Sequence, residues 1–141
     1  MKGRVGKLFT IGYGGRSPEE LLECLVSHGV EAVVDVRLSP RGYLSAFTRA
    51  QSEGKGIQAL LGRGGIGYFW WEALGNPFRN TADWRSRYQM HIDRQWDALR
   101  DLLRPVPQPY CLLCAEKLPS NCHRSDIAGR LAASFSEVEH L

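Results

Sequence analysis

No stretch of the chain approaches the roughly 20 consecutive apolar residues of a membrane-spanning helix, so no membrane role is expected. The first residues, Met1 to Lys7, are polar and glycine-rich. They lack the basic head and apolar run of a secretory signal, and a cytoplasmic protein is expected. Cysteine is sparse: Cys24, Cys111, Cys114 and Cys122 in 141 residues that are 43% apolar. A chain of that size and apolarity needs no disulfide framework, so reduced thiols are the expectation. Lysine is also scarce, 4 against 14 arginines at a net charge of +3. Arginine suits bidentate carboxylate and phosphate contacts, although a genome biased to arginine codons gives the same count. Several catalytic signatures are missing: the Gly-x-Ser-x-Gly elbow, the His-Glu-x-x-His pair and the Walker loop. No cysteine is followed by five residues and an arginine, which disfavours tyrosine-phosphatase chemistry.

What is present reads as one domain over residues 1–141. Lys7–Ile11 and Glu31–Val36 are apolar strand candidates. Ser17, Pro18 and Glu20 open a helix between them with a capping box, and Gly29 closes it. Such a strand–helix–strand unit implies a parallel pair with a right-handed crossover. The segment from Tyr43 to Gly56 reads as an excursion or a short helix, Ile57–Leu61 as one or two helical turns, and Gly67–Trp71 as a third strand. Trp84, Tyr88, Ile92, Trp96, Leu99 and Leu103 form one stripe, predicting a single long helix from Asp83 to Arg104. Tyr110–Ala115 is the last strand and Ser125–Phe135 a closing helix, with a tail to Leu141 expected to fray. Alternation of strands and helices implies an α/β fold with a mostly parallel, twisted sheet flanked by helices. Strands 8–11, 32–36 and 111–115 are expected to be central.

Sites in such sheets form beyond the carboxyl ends of the strands. Those ends carry Gly12, Tyr13 and Arg16; Asp35, Arg37 and Arg41; Glu72 and Asn76; and Glu116, Cys122, His123 and Arg124. The Gly12–Ser17 turn presents amides and a helix start to an anion, but lacks the third glycine of a dinucleotide fingerprint. Asp35 and Arg37 share a strand face and form either a structural ion pair or a base beside an anion clamp. Trp70 and Trp71 point to opposite faces. Cys111 and Cys114, three apart on a strand, also face opposite sides, which argues against their holding zinc together. Cys122, His123 and Arg124 open a helix, where a thiol is activated and an anion is bound. The plain alternative is that Cys114 and Cys122 are packing residues.

The blocks Thr10–Gly14, Val34–Arg41, Leu74-Gly75, Leu112–Glu116 and Cys122–Arg124 resemble the family called domain of unknown function 488, over about residues 8–133. The resemblance implies a small prokaryotic α/β protein and leans towards nucleic-acid or nucleotide metabolism. It does not deliver a function. The expectation is an enzyme acting on a phosphate-bearing small molecule or nucleic acid by hydrolytic or N-glycosidic chemistry, without a cofactor or metal. Asp35, Glu116 and His123 are the candidate acid–base groups. Gly12, Tyr13, Arg16, Arg37, Arg41, Glu72, Asn76, Cys122 and Arg124 are the candidate binding residues. One alternative is a non-catalytic module for anions or single-stranded nucleic acid. Another is a thiol or metal protein using Cys114 and Cys122. Oligomeric state is not legible.

Overall fold

The structure, a computed structural model, describes residues 5–38, 47 and 56–141. Five strands, β1 (Val5–Gly12), β2 (Ala32–Asp35), β3 (Gly67–Trp70), β4 (Tyr110–Cys114) and β5 (Phe135–His140), form one sheet in the order β3-β2-β4-β1-β5. Every pairing is parallel. The three strands expected to be central are central. The fold is a single α/β domain.

The helices divide between the two faces by direction of travel along the sheet, the arrangement that crossovers of one hand produce. Helices α1 (Pro18–Ser27) and α2 (Gly56–Arg63) bury Leu21, Leu25, Ile57, Leu60 and Leu61 with Ile11, Val33 and Cys111 in one core. Helices α3 (Trp84–Asp93), α4 (Trp96–Leu103) and α5 (Arg124–Leu131) bury Tyr88, Ile92, Leu99, Leu103, Ile127 and Leu131 with Val34 and Leu112 in the other. Chain alternation sends Cys111 to the first core and Cys114 to the second, as their spacing requires. The α1 start is the expected box: Ser17 Oγ accepts from the Glu20 amide, and the Glu20 carboxylate accepts from the Ser17 amide. Gly29 closes the helix at φ 71°.

Three expectations are corrected. The single long helix is two, α3 and α4, broken at Arg94 and Gln95. Residues four apart drift about 40° per step around a straight helix, so the stripe has turned about 120° by Trp96. The break resets that drift and lets both halves face the sheet. The Gln95 side chain donates to the His91 carbonyl at 3.3 Å, and the Gln95 carbonyl starts α4 by accepting from Leu99 at 3.0 Å. The closing helix also ends early, at Leu131. The tail expected to fray is the edge strand β5, in register with β1 from Val5 opposite Phe135 to Thr10 opposite His140. The excursion from Tyr43 and the residue Arg41 lie outside the described residues, Phe47 and Gly56 apart.

Candidate functional site

The chain leaves β1 and β2 towards the α1–α2 face and leaves β4, which lies between them, towards the α5 face. This reversal opens a crevice at the carboxyl end of β4. Backbone bonds run past the strand ends and fix its walls: Tyr13 N to Cys114 O at 3.1 Å, Gly14 N to Ala115 O at 3.0 Å and Val36 N to Leu113 O at 3.0 Å. A cleft of about 320 Å³ lies there. Tyr13, Arg37, Asn76, Glu116, Cys122 and His123 line it, as do Cys114, Arg79, Trp84 and Asn121. Of the residues expected at the site, six therefore share the cleft wall.

The others are placed differently. Asp35 is fully buried behind Arg37. Its carboxylate accepts from Arg37 Nε at 2.9 Å, Arg37 Nη2 at 2.6 Å and the Tyr68 hydroxyl at 2.6 Å. Asp35 thus orients Arg37, and the two form the structural pair. Arg37 Nη1 reaches the Tyr13 hydroxyl at 3.3 Å, with the guanidinium 5.2 Å from the Tyr13 ring. Tyr13 in turn stacks on Phe47 at 4.4 Å. Arg16 bonds the Gly12 carbonyl, and Glu72 is exposed; neither lines the cleft. Gly12 works by having no side chain: a Cβ there would stand 1.6 Å from the Glu116 carbonyl oxygen.

Arg124 is also fully buried, beneath the cleft floor. Its acceptors are neutral: Glu116 O at 2.7 Å, Cys114 Sγ at 2.9 Å, Lys117 O at 3.3 Å and Thr10 Oγ1 at 3.4 Å. The bond from Arg124 to Glu116 goes to the backbone carbonyl and not to the carboxylate. Burial lowers the Arg124 pKa from its usual range.

Above Arg124 the sulfurs of Cys114 and Cys122 lie against each other, their Cα atoms 7.4 Å apart, a spacing that a disulfide closes only with backbone movement. Cys24 and Cys111 stand apart from this pair. Cys122 precedes α5, and its sulfur accepts from the Arg124 amide at 3.4 Å. It also lies 3.7 Å from His123 Nδ1. His123 Nε2 is 2.5 Å from the Val36 carbonyl, an oxygen that can only accept. The proton is therefore on Nε2, and the Nδ1 lone pair faces Cys122. Burial lowers the His123 pKa below 6.5 and keeps the ring neutral, against smaller opposing pulls from the Val36 carbonyl and Asp126. Tyr88 packs edge-on at 5.0 Å and fixes the ring plane.

Arg79 and Asn121 escaped the sequence reading, and Trp84, read there only as part of the helix stripe, also lines the cleft. Arg79 follows the strand exit at Asn76 and Asn121 precedes Cys122, so nearness to those residues was the available signal. Among the described residues no group of three or more His, Cys, Asp or Glu side chains is arranged to hold a metal ion. No helix among them is long and apolar enough to cross a membrane.

Fold and cleft define a parallel α/β protein with a polar strand-end site. The profile of the domain of unknown function DUF488 matches residues 17–131, and the chain belongs to that family. Gly12, Tyr13 and Arg16 precede the matched span. No curated protein matches the chain. No solved structure matches it either.

Proposed function

We propose that the protein is an enzyme acting on an anionic, phosphate-bearing substrate, a nucleotide or a nucleic-acid terminus, with Cys122 as nucleophile and His123 as its base. The observation that carries this reading is the fixed tautomer of His123, whose Nδ1 lone pair faces the Cys122 sulfur at 3.7 Å. A thiol beside a base and a helix-start amide is activated as a nucleophile. In the reduced protein Nδ1 takes the Cys122 proton, and the thiolate attacks the electrophilic centre. The bond to the leaving oxygen breaks, and His123 returns the proton to it. Water then releases the covalent intermediate, with Glu116 at the rim to orient it. Arg37, held in place by buried Asp35, and Arg79 hold the anion, and Asn76 and Asn121 select its orientation. The reading moves the chemistry from Asp35 to Cys122 and keeps the anionic substrate. A reducing compartment such as the cytoplasm suits it.

The test is turnover of a panel of phosphate monoesters, nucleotides and short single-stranded oligonucleotides by the reduced protein. Turnover abolished in Cys122→Ser and lowered about 100-fold or more in His123→Ala supports the reading, since a positioned base contributes on that scale. Binding of the panel without turnover contradicts the enzyme and leaves a binding module.

A further inference from the structure

Arg124 is the observation that the nucleophile and base do not absorb. It is fully buried, a side chain rarely found so unless paired. All four of its acceptors are neutral, and one of them is a sulfur at 2.9 Å. Buried cations are stable when matched by an anion. Cys114 is the one of these acceptors that becomes an anion by losing a proton. Its sulfur also touches Cys122, which carries its own amide and imidazole contacts. Of the two other cysteines, Cys111 is fully buried with its thiol pushed up by that burial, and Cys24 lies on α1 with its sulfur 4.0 Å from His28 Nδ1; neither meets a second sulfur.

We propose that Cys114 and Cys122 form a reversible dithiol–disulfide couple, with Arg124 holding Cys114 as the resolving thiolate, and that the couple reduces an anionic disulfide admitted to the cleft. The inference rests on the reading of Cys122 as the cleft nucleophile. Cys122 thiolate attacks one sulfur of the substrate disulfide. A mixed disulfide forms and the first substrate thiolate leaves. Cys114 thiolate then attacks Cys122 Sγ, closing the internal disulfide and expelling the second substrate thiolate. Two electrons pass from the couple to the substrate, and the substrate thiolates take up the protons lost by the two cysteines. An external thiol of the cell's reducing pool reopens the couple by the reverse exchange. Arg37 and Arg79 at the cleft give the anionic substrate its preference. Arg124 is a positioning residue, since it acts through Cys114.

Oxidised glutathione is the probe, added to the reduced full-length chain and followed by peptide mass mapping. Trypsin separates the partners, because cleavage after Lys117 and Arg124 leaves Cys122 on the peptide 118–124. The wild type is expected to give that peptide cross-linked to the one carrying Cys114, with no lasting glutathione adduct. Cys114→Ser is expected to stop at a stable Cys122–glutathione adduct, and Cys122→Ser to give neither product. Arg124→Gln is expected to slow closure about tenfold near neutral pH, the effect of moving a thiol's titration by one pH unit, with the deficit shrinking at alkaline pH and Arg124→Lys restoring part of it. A wild type that keeps both thiols, or that stops at the adduct as Cys114→Ser does, overturns the couple. If Arg124→Gln does not fold, the cysteine variants alone decide. Turnover of phosphate esters by the reduced wild type, measured without any disulfide substrate, reports on the proposed function independently of the couple.

Discussion

Asp35 and Arg37 carry the largest buried charge interaction in the site, and their geometry decides what a substitution means. Removing one partner strands the other without water, at about 3–5 kcal/mol. Arg37→Ala is therefore expected to lower stability by that amount as well as to weaken phosphate binding. The pair Asp35→Asn with Arg37→Met separates the effects: Asn keeps an acceptor for the Tyr68 hydroxyl, and no unpaired charge remains. Chemical denaturation should show most of the stability restored, while calorimetry with phosphate should still show weakened binding. Recovery of both would remove Arg37 from the anion site. Gly12 makes a second prediction. Its missing Cβ admits the Glu116 carbonyl that holds Arg124. Gly12→Ala should cost on the order of 1–3 kcal/mol, the scale of overpacking a core, by denaturation. The sequence placed these residues at strand ends, because the rule for parallel sheets needs only element order. It did not say which way each side chain turns there. Asp35 and Arg124 were consequently read as cleft residues when they lie beneath its surface.

At the scale of elements, the strands and the α1 cap were legible because their signals are local. The capping box is a four-residue pattern, and β2 and β4 are runs of apolar residues. The helix break at Gln95 carried neither glycine nor proline. It is dictated by the sheet beneath, which the stripe must keep facing. Strand β5 was equally hidden. Residues 135–140 bury only Phe135 fully, and their role is to pair with the β1 edge. Phe135 anchors the strand against Tyr110 at 5.7 Å, and Lys7 bridges to Glu137 and Glu139. Truncation after Ser134 is expected to leave β1 as an open edge above an apolar face, with aggregation or loss of cooperative unfolding. Light scattering and thermal melts check this. A monomeric truncated chain with an unchanged melting temperature would make β5 dispensable.

For the whole molecule, the two histidines near the site set the response to acid. His123 and His140 are both lowered from 6.5, each mainly by burial. The folded protein therefore binds their protons less readily than the unfolded chain. Their contribution to stability is complete above about pH 6.5 and is lost as the pH falls through their depressed folded values. Denaturation midpoints should decline from pH 7 to pH 5, and His123→Gln should flatten the decline. A rising midpoint over that range would contradict the burial of a neutral His123.

The central claim, that the strand-end cleft presents an activated Cys122, is tested most directly by site-resolved alkylation of the reduced protein. Iodoacetamide labelling of the four cysteines is followed by peptide mass mapping near neutral pH, with and without inorganic phosphate. The account predicts that Cys122 reacts faster than half-buried Cys24, that buried Cys111 stays unmodified, and that phosphate protects Cys122 without affecting Cys24. Labelling of Cys122 no faster than that of Cys24, or indifferent to phosphate, would contradict it.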